Sequence, residues 1–205
     1  MTNEKLYKAL QEVRHGARTL DNLIAEVHAT ICTENARKAG TANLRAAMLS
    51  VLKNAAKHPK EALHYARTVG GVQWVCDSYQ LIRTTTPQEL PELPPALDPV
   101  DFGRILCSYP AGEMVELPTI AELKQTKAER AAQIKAKTLA PNQAKAYDLY
   151  TSAGTLTAYA VSIDYLQNAI KAGCTRCRAA GCAFILSDDA ETVTYLILGI
   201  KRGLK

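Results

Sequence analysis

The chain has 205 residues, 47% of them hydrophobic and 22% charged, which is enough apolar material for a packed core and excludes disorder along the whole length. Its formal net charge of +5 allows contact with a polyanion without demanding it. No apolar run approaches the roughly 20 residues that span a bilayer, and Met1 to Gln11 lack the apolar stretch of a signal peptide, so a cytoplasmic protein with reduced thiols and no membrane partner is expected.

Residues 1–40 read as a helical segment. Leu6, Leu10, Val13 and Ala17 fall at helical spacing, and Leu20, Leu23, Ile24, Val27 and Ile31 continue the stripe. Gly16 and Thr19 interrupt it, which predicts two helices joined near Gly16, with Gly40 as the stop. Leu44, Ala47, Met48, Val51, Leu52 and Ala55 share one face of a third helix, capped from Thr41 or Asn43 and blocked by Pro59.

From Leu63 the period changes to that of a strand. Leu63 to Thr68 and Val72 to Asp77 flank Gly70-Gly71, a dipeptide suited to a tight hairpin turn, and Tyr79 to Thr84 continues as a third strand. Pro87, Pro91, Pro94, Pro95 and Pro99 make residues 87–99 an extended connector, able to separate domains or to wrap the surface of one. A short helix from Asp98-Pro99 to Cys107 and a strand from Met114 to Leu117 follow. Thr119 and Glu122 form a capping-box pattern for a helix over 119–137, whose Lys124, Lys127, Arg130, Lys135 and Lys137 fit a basic, solvated arm better than a DNA reader.

Ala146 to Thr151 and Leu156 to Val161 are strands around Ala153-Gly154. Ser162 caps a helix with Ile163, Leu166, Ala169 and Ile170 inward, ending at Gly173. Phe184 to Leu186 and Thr192 to Ile200 close the chain as strands on either side of an acidic turn at 187–191. The fold class is α+β. A helix followed by strands occurs twice, from Asn43 and from Ser162, which suggests related halves.

Candidate chemistry is sparse. Cys174 and Cys177 have CxxC spacing, and Cys182 could add a third zinc ligand, but no histidine follows His64 to complete the set. A redox role wants a helix N-terminus, whereas this pair follows a helix C-terminus; small residues packed in strands or a turn are the plainer reading. His15, His28, His58 and His64 are scattered without HxxxH or HExxH spacing, and a Cys76–His64 pair would lack an orienting third group. No phosphate loop occurs. Asp188, Asp189 and Glu191 fit an exposed turn better than a calcium loop. Trp74, with Tyr65 and Tyr79 and beside Arg67 and Arg83, suits strand packing or a base-stacking platform. No catalytic constellation, and hence no enzyme and no cofactor, is expected.

The segment Val161 to Ala172, then Phe184 to Ser187, an acidic turn, and Tyr195 to Arg202, resembles the C-terminal portion of bacterial DNA polymerase sliding clamps. Leu44 to Ala55 followed by Leu63 to Arg83, with Cys76-Asp77-Ser78-Tyr79-Gln80-Leu81, is similar to the clamp helix and its following strands. The connector resembles those of divergent clamp-like proteins of phages and prophages. The resemblance spans about Asn43 to Arg202 with gaps, and 119–137 looks like an insertion. Leu198-Gly199-Ile200 departs from the family's Met-Pro-Met tract, which bears on the partner-peptide pocket.

The resemblance implies clamp-like helix-plus-antiparallel-sheet units over 41–205. It also implies a non-enzymatic scaffold for DNA replication, with double-stranded DNA and replication proteins as partners. Clamps meet duplex phosphates through basic helices; the matching positions are Arg45, Lys53 and Lys57 on the first helix and Lys171 on the last. A ring would need self-association, because one chain supplies too little arc. The alternative is a small zinc-binding regulatory or protein-interaction module built on Cys174, Cys177 and Cys182.

Overall fold

Three of the six α-helices among the described residues begin where a threonine hydroxyl accepts from an orphan first-turn amide. The computed structural model describes residues 2–109, 111–139 and 141–201. Thr2 starts α1 (Asn3–Arg14) by accepting from the Lys5 N–H, and Thr19 starts α2 (Leu20–Lys38) by accepting from the Asn22 N–H. Gly16 and Gly40 follow the two helices with φ of 73° and 72°, a left-handed turn that glycine enters without steric cost. At α3 (Ala42–Ala55) Thr41 holds the cap position but does not cap: its hydroxyl donates to Gln88 Oε1 at 3.0 Å.

The strand expected from Leu63 is mostly absent. Glu61–His64 forms a 3-10 turn that buries Ala62 and Leu63 beside α3, and only β1 (Arg67–Val69) is extended. Burial against a neighbouring helix has overridden the local period. Gly70-Gly71 then turns the chain into β2 (Val72–Cys76), which β3 (Gln80–Thr84) follows.

The proline-rich connector wraps the sheet edge. The Ala66 N–H donates to Pro91 O at 2.7 Å and the Leu93 N–H to Ala66 O at 2.8 Å. Buried Gln73 and Gln88 bond reciprocally, side chain to backbone, at 2.8 and 3.0 Å. Then come α4 (Phe102–Cys107), begun later than expected by the Asp101 carboxylate, and β4 (Glu113–Val115). The capping box of Thr119 and Glu122 forms as expected and starts α5 (Ile120–Lys135).

The rest of the chain contains β5 (Ala146–Tyr147), β6 (Tyr159–Ser162), α6 (Ile163–Lys171), β7 (Arg176–Ala180), β8 (Ala183–Ser187), β9 (Val193–Leu198) and β10 (Ile200–Lys201). Ser162 sits at the cap of α6 without a side-chain cap bond. Strand β7 realises the packed-strand reading of Cys177 but has no bounds in the sequence pattern, because its inward Cys177 and outward Arg176 and Arg178 carry little apolar periodicity.

The main sheet is wholly antiparallel in the order β1-β2-β3-β9-β8-β7-β4, and β10-β6-β5 form a second, small sheet. Two units, α3-β1-β2-β3 and α6-β7-β8-β9, therefore share one element order and meet head-on, with Leu81 opposite Leu196. Helices α3 and α6 touch each other and cover one sheet face, burying Met48, Val51, Ile163 and Leu166 against Val75, Ile82, Leu186 and Tyr195. On the opposite face Cys76, Leu81, Ala183 and Leu196 pack under Phe102 of α4. Next to α3 lies α2; next to α6 lies α5. The fold is mixed α+β, helical at its N-terminal end, and no helix among the described residues is long and apolar enough to cross a membrane.

Candidate nucleic-acid interface

The helical layer carries the basic positions singled out above, and it separates them. Lys53 stands exposed in the last turn of α3, Lys57 is exposed in the turn just past its C-cap, Ala56, and Lys171 is exposed in the last turn of α6. Arg45 is different. It is 8% exposed, donating from Nη1 to Thr33 Oγ1 at 3.2 Å and from Nη2 to the Glu89 carbonyl at 3.4 Å. A guanidinium committed to the joint between α2 and the connector cannot reach a phosphate, so Arg45 leaves the candidate interface.

Between Asn35 and Lys60 the chain has no Asp or Glu, while Arg37, Lys38, Lys53, Lys57 and Lys60 are all exposed. Beside this stretch, α3 and α6 border a polar groove of about 550 Å³ lined by Ser50, Asn54, Lys57, Lys145, Gln167 and Asn168 among others. Its acids are spoken for. Asp164 pairs with Lys127 at 2.6 Å and with Lys145 at 3.2 Å. Burial alone would raise the Asp164 carboxyl, but these two ammonium groups outweigh it and hold the group below the usual carboxylate range. Asp77 is buried and accepts from Asn54, Tyr79 and Gln80. The groove is thus a hydrogen-bonding surface with lysines at its rim.

The outer sheet face offers a poorer platform. Trp74 stacks on Phe102 with centroids 6.4 Å apart, and the Arg83 guanidinium lies 5.8 Å from its ring, so the indole is already engaged by two neighbours. Arg67 is tied to the Val100 carbonyl. The tract Leu196–Ile200, where the clamp resemblance places a peptide pocket, borders an apolar groove of about 350 Å³ with Leu63, Leu81, Val100 and Ile105.

The C-terminal cysteines are not brought together as a metal set. Cys174 and Cys177 are buried at the β8–β9 end of β7, where burial pushes both thiols up to about 12. Cys182 lies exposed in the β7–β8 turn, more than about 10 Å along the hairpin, with its sulfur 3.8 Å from Tyr109 Oη. The acidic turn is committed as well: Asp188 closes it, and Asp189 accepts from Arg176 at 2.8 Å. His64 Nε2 contacts His58 O at 2.8 Å, and Cys76 Sγ accepts from the Ser78 N–H at 3.4 Å, so neither is poised on the other. Among the described residues one trio does bring metal-ligand atoms within 4.8 Å of one another: His28, Cys32 and Glu89. Its sequence signal is the four-residue spacing of His28 and Cys32 on a helix, which a search for paired histidines passes over.

No family model, no curated protein and no solved structure matches the chain. The functional reading rests on the geometry just described.

Proposed function

We propose that the chain is a non-enzymatic, DNA-associated scaffold of the clamp-like kind, meeting double-stranded DNA through α3 and α6. The observation that carries the reading is the acid-free stretch from Asn35 to Lys60. It leaves Lys53 exposed at the end of α3 and Lys57 and Lys60 exposed just beyond it, next to a pair of helices over a sheet whose halves mirror each other in order. Such a surface attracts phosphates without reading bases, which is what a sequence-independent scaffold needs. Replication proteins are the partners that this reading implies.

A ring requires more than one copy. Leu6, Leu10, Leu20, Ile24 and Ile31 are exposed along α1 and α2 and offer the apolar surface on which a second copy would close. Lys5 and Lys8 on α1, with Asp21 on α2, supply opposite charges for such a contact. Solution mass by light scattering checks it; a strict monomer would rule out the ring.

Anisotropy of a labelled duplex at two salt concentrations tests the DNA reading. Affinity should fall as salt rises, and Lys53→Ala, Lys57→Ala and Lys171→Ala should each reduce the log–log salt slope by about one. Undetectable or salt-insensitive binding would defeat the proposal.

A further inference from the structure

Cys32 is 2% exposed on α2, and His28 lies one turn earlier on the same helix face. The sulfur is 3.6 Å from His28 Nδ1 and 3.7 Å from Nε2. A tetrahedral ion held about 2.3 Å from sulfur and about 2.1 Å from nitrogen sets those atoms about 3.6 Å apart. The sulfur–nitrogen distance matches that separation, and rotation of the exposed His28 ring would aim one nitrogen lone pair at the shared position. The Glu89 carboxylate comes from the connector, far away in sequence, and completes the trio.

Glu89 is held in place by its neighbours. Gln88, just before it, bonds reciprocally with Gln73 and accepts from the Thr41 hydroxyl, and the Glu89 carbonyl accepts from Arg45. The backbone that carries Glu89 and the helix that carries Cys32 are therefore positioned independently and converge.

Arg45 supplies a second observation. It is more than nine-tenths buried beside the trio, and its Nε has no hydrogen-bond partner among the described residues. A buried guanidinium requires counter-charge. Glu89 supplies one such charge, and displacement of the Cys32 proton by a metal would add a second, so a divalent cation can sit beside the guanidinium without leaving the site strongly positive.

We propose that His28, Cys32 and Glu89 bind one divalent transition-metal ion of the zinc class, with the fourth position open to solvent. Imidazole and thiolate favour such an ion over calcium or magnesium, which take oxygen ligands. The thiol proton leaves to solvent as the sulfur coordinates. The bound ion ties α2 to the connector, and so fastens the N-terminal helices to the sheet.

Titration of the full chain with Co²⁺, followed by Zn²⁺ competition, tests this. The expected result is a thiolate-to-cobalt absorption band saturating at one equivalent and removed by one equivalent of Zn²⁺. Cys32→Ser should abolish the band; His28→Ala and Glu89→Gln should each weaken binding at least about tenfold. Cys182→Ser should leave it unchanged. Absence of the band at millimolar Co²⁺, its survival in Cys32→Ser, or its loss in Cys182→Ser would overturn the proposal. His28 is exposed, so His28→Ala keeps the test decisive if Cys32→Ser does not fold. None of these measurements depends on DNA affinity.

Discussion

Asp77 closes the turn from β2 to β3 as Asp188 closes the turn from β8 to β9, one in each half of the sheet. Asp77 Oδ1 accepts from the N–H groups of Tyr79 and Gln80, each at 3.0 Å, and Asp188 Oδ1 accepts from the Val193 N–H at 3.0 Å. The halves differ in burial. Asp77 is 5% exposed and also accepts from Asn54 on α3, so its turn is locked to the helix above. Asp77→Ala should cost about 3 kcal/mol by stranding buried donors, and Asp188→Ala about 1 kcal/mol. Urea denaturation checks the order; equal costs would mean that burial at Asp77 adds nothing.

Acid should destabilise the fold partly through Asp164 and Asp188. Burial pushes each carboxyl up, but Lys127 and Lys145 at Asp164, and the Thr192 and Val193 hydrogen bonds at Asp188, hold both below their ordinary values. A folded value below the unfolded one, about 3.9, means the stabilisation is complete above that pH and lost as pH falls through the folded value. Urea midpoints should drop below about pH 4, and less steeply in Asp164→Asn. An unchanged acid limb in that variant would remove Asp164 from the account.

Thiol labelling should divide the six cysteines by burial. Cys107 and Cys182 are exposed, whereas Cys174 and Cys177 are buried with thiols pushed up to about 12. Since the thiolate is the reacting form, native protein at neutral pH should label quickly at Cys107 and Cys182 and at Cys174 and Cys177 only after unfolding. Mass mapping of the labelled peptides reads this directly. Fast native labelling at Cys177 would contradict the packing of β7.

Gly199 marks the crossing between the two sheets. Its N–H donates to Cys182 O at 2.7 Å, and a Cβ there would lie 2.5 Å from Tyr159 Cβ. Gly199→Ala must push apart β6 and the end of β9, at a cost of about 1–3 kcal/mol. Thermal unfolding of that variant, with Gly103→Ala as control because a Cβ there meets only Asp101 Oδ1 at 3.5 Å, should show the larger loss at Gly199. No difference would mean that the two sheets yield there freely.

Several elements were legible in the chain because their causes are local. The break at Gly16, the stop at Gly40, the Gly70-Gly71 turn and the Thr119–Glu122 capping box each depend on residues a few positions apart. The recurrence of a helix followed by strands was legible for the same reason. Strand β7 was not, since Cys177, Ala179 and Ala180 gain their apolar role only beside β8. The 3-10 turn at Glu61–His64 was hidden too, because α3 buries Leu63 there.

The candidate sites divide in the same way. Lys53 and Lys171 could be chosen from the chain because lysine at a polar helix position projects into solvent, and Lys57 because the turn before Pro59 does the same. Arg45 sits in the same pattern, yet the connector returns over it from more than forty residues away and buries it. That return also carries Glu89 to His28 and Cys32, while the long β7–β8 hairpin holds Cys182 away from Cys174 and Cys177. By itself the sequence determined the helices, the turns and the basic α3, all set by short-range spacing and backbone preference. Only the tertiary structure decided which cysteines meet other ligands and which cations stay free, since contacts between distant segments depend on how the sheet brings the connector and the helices together.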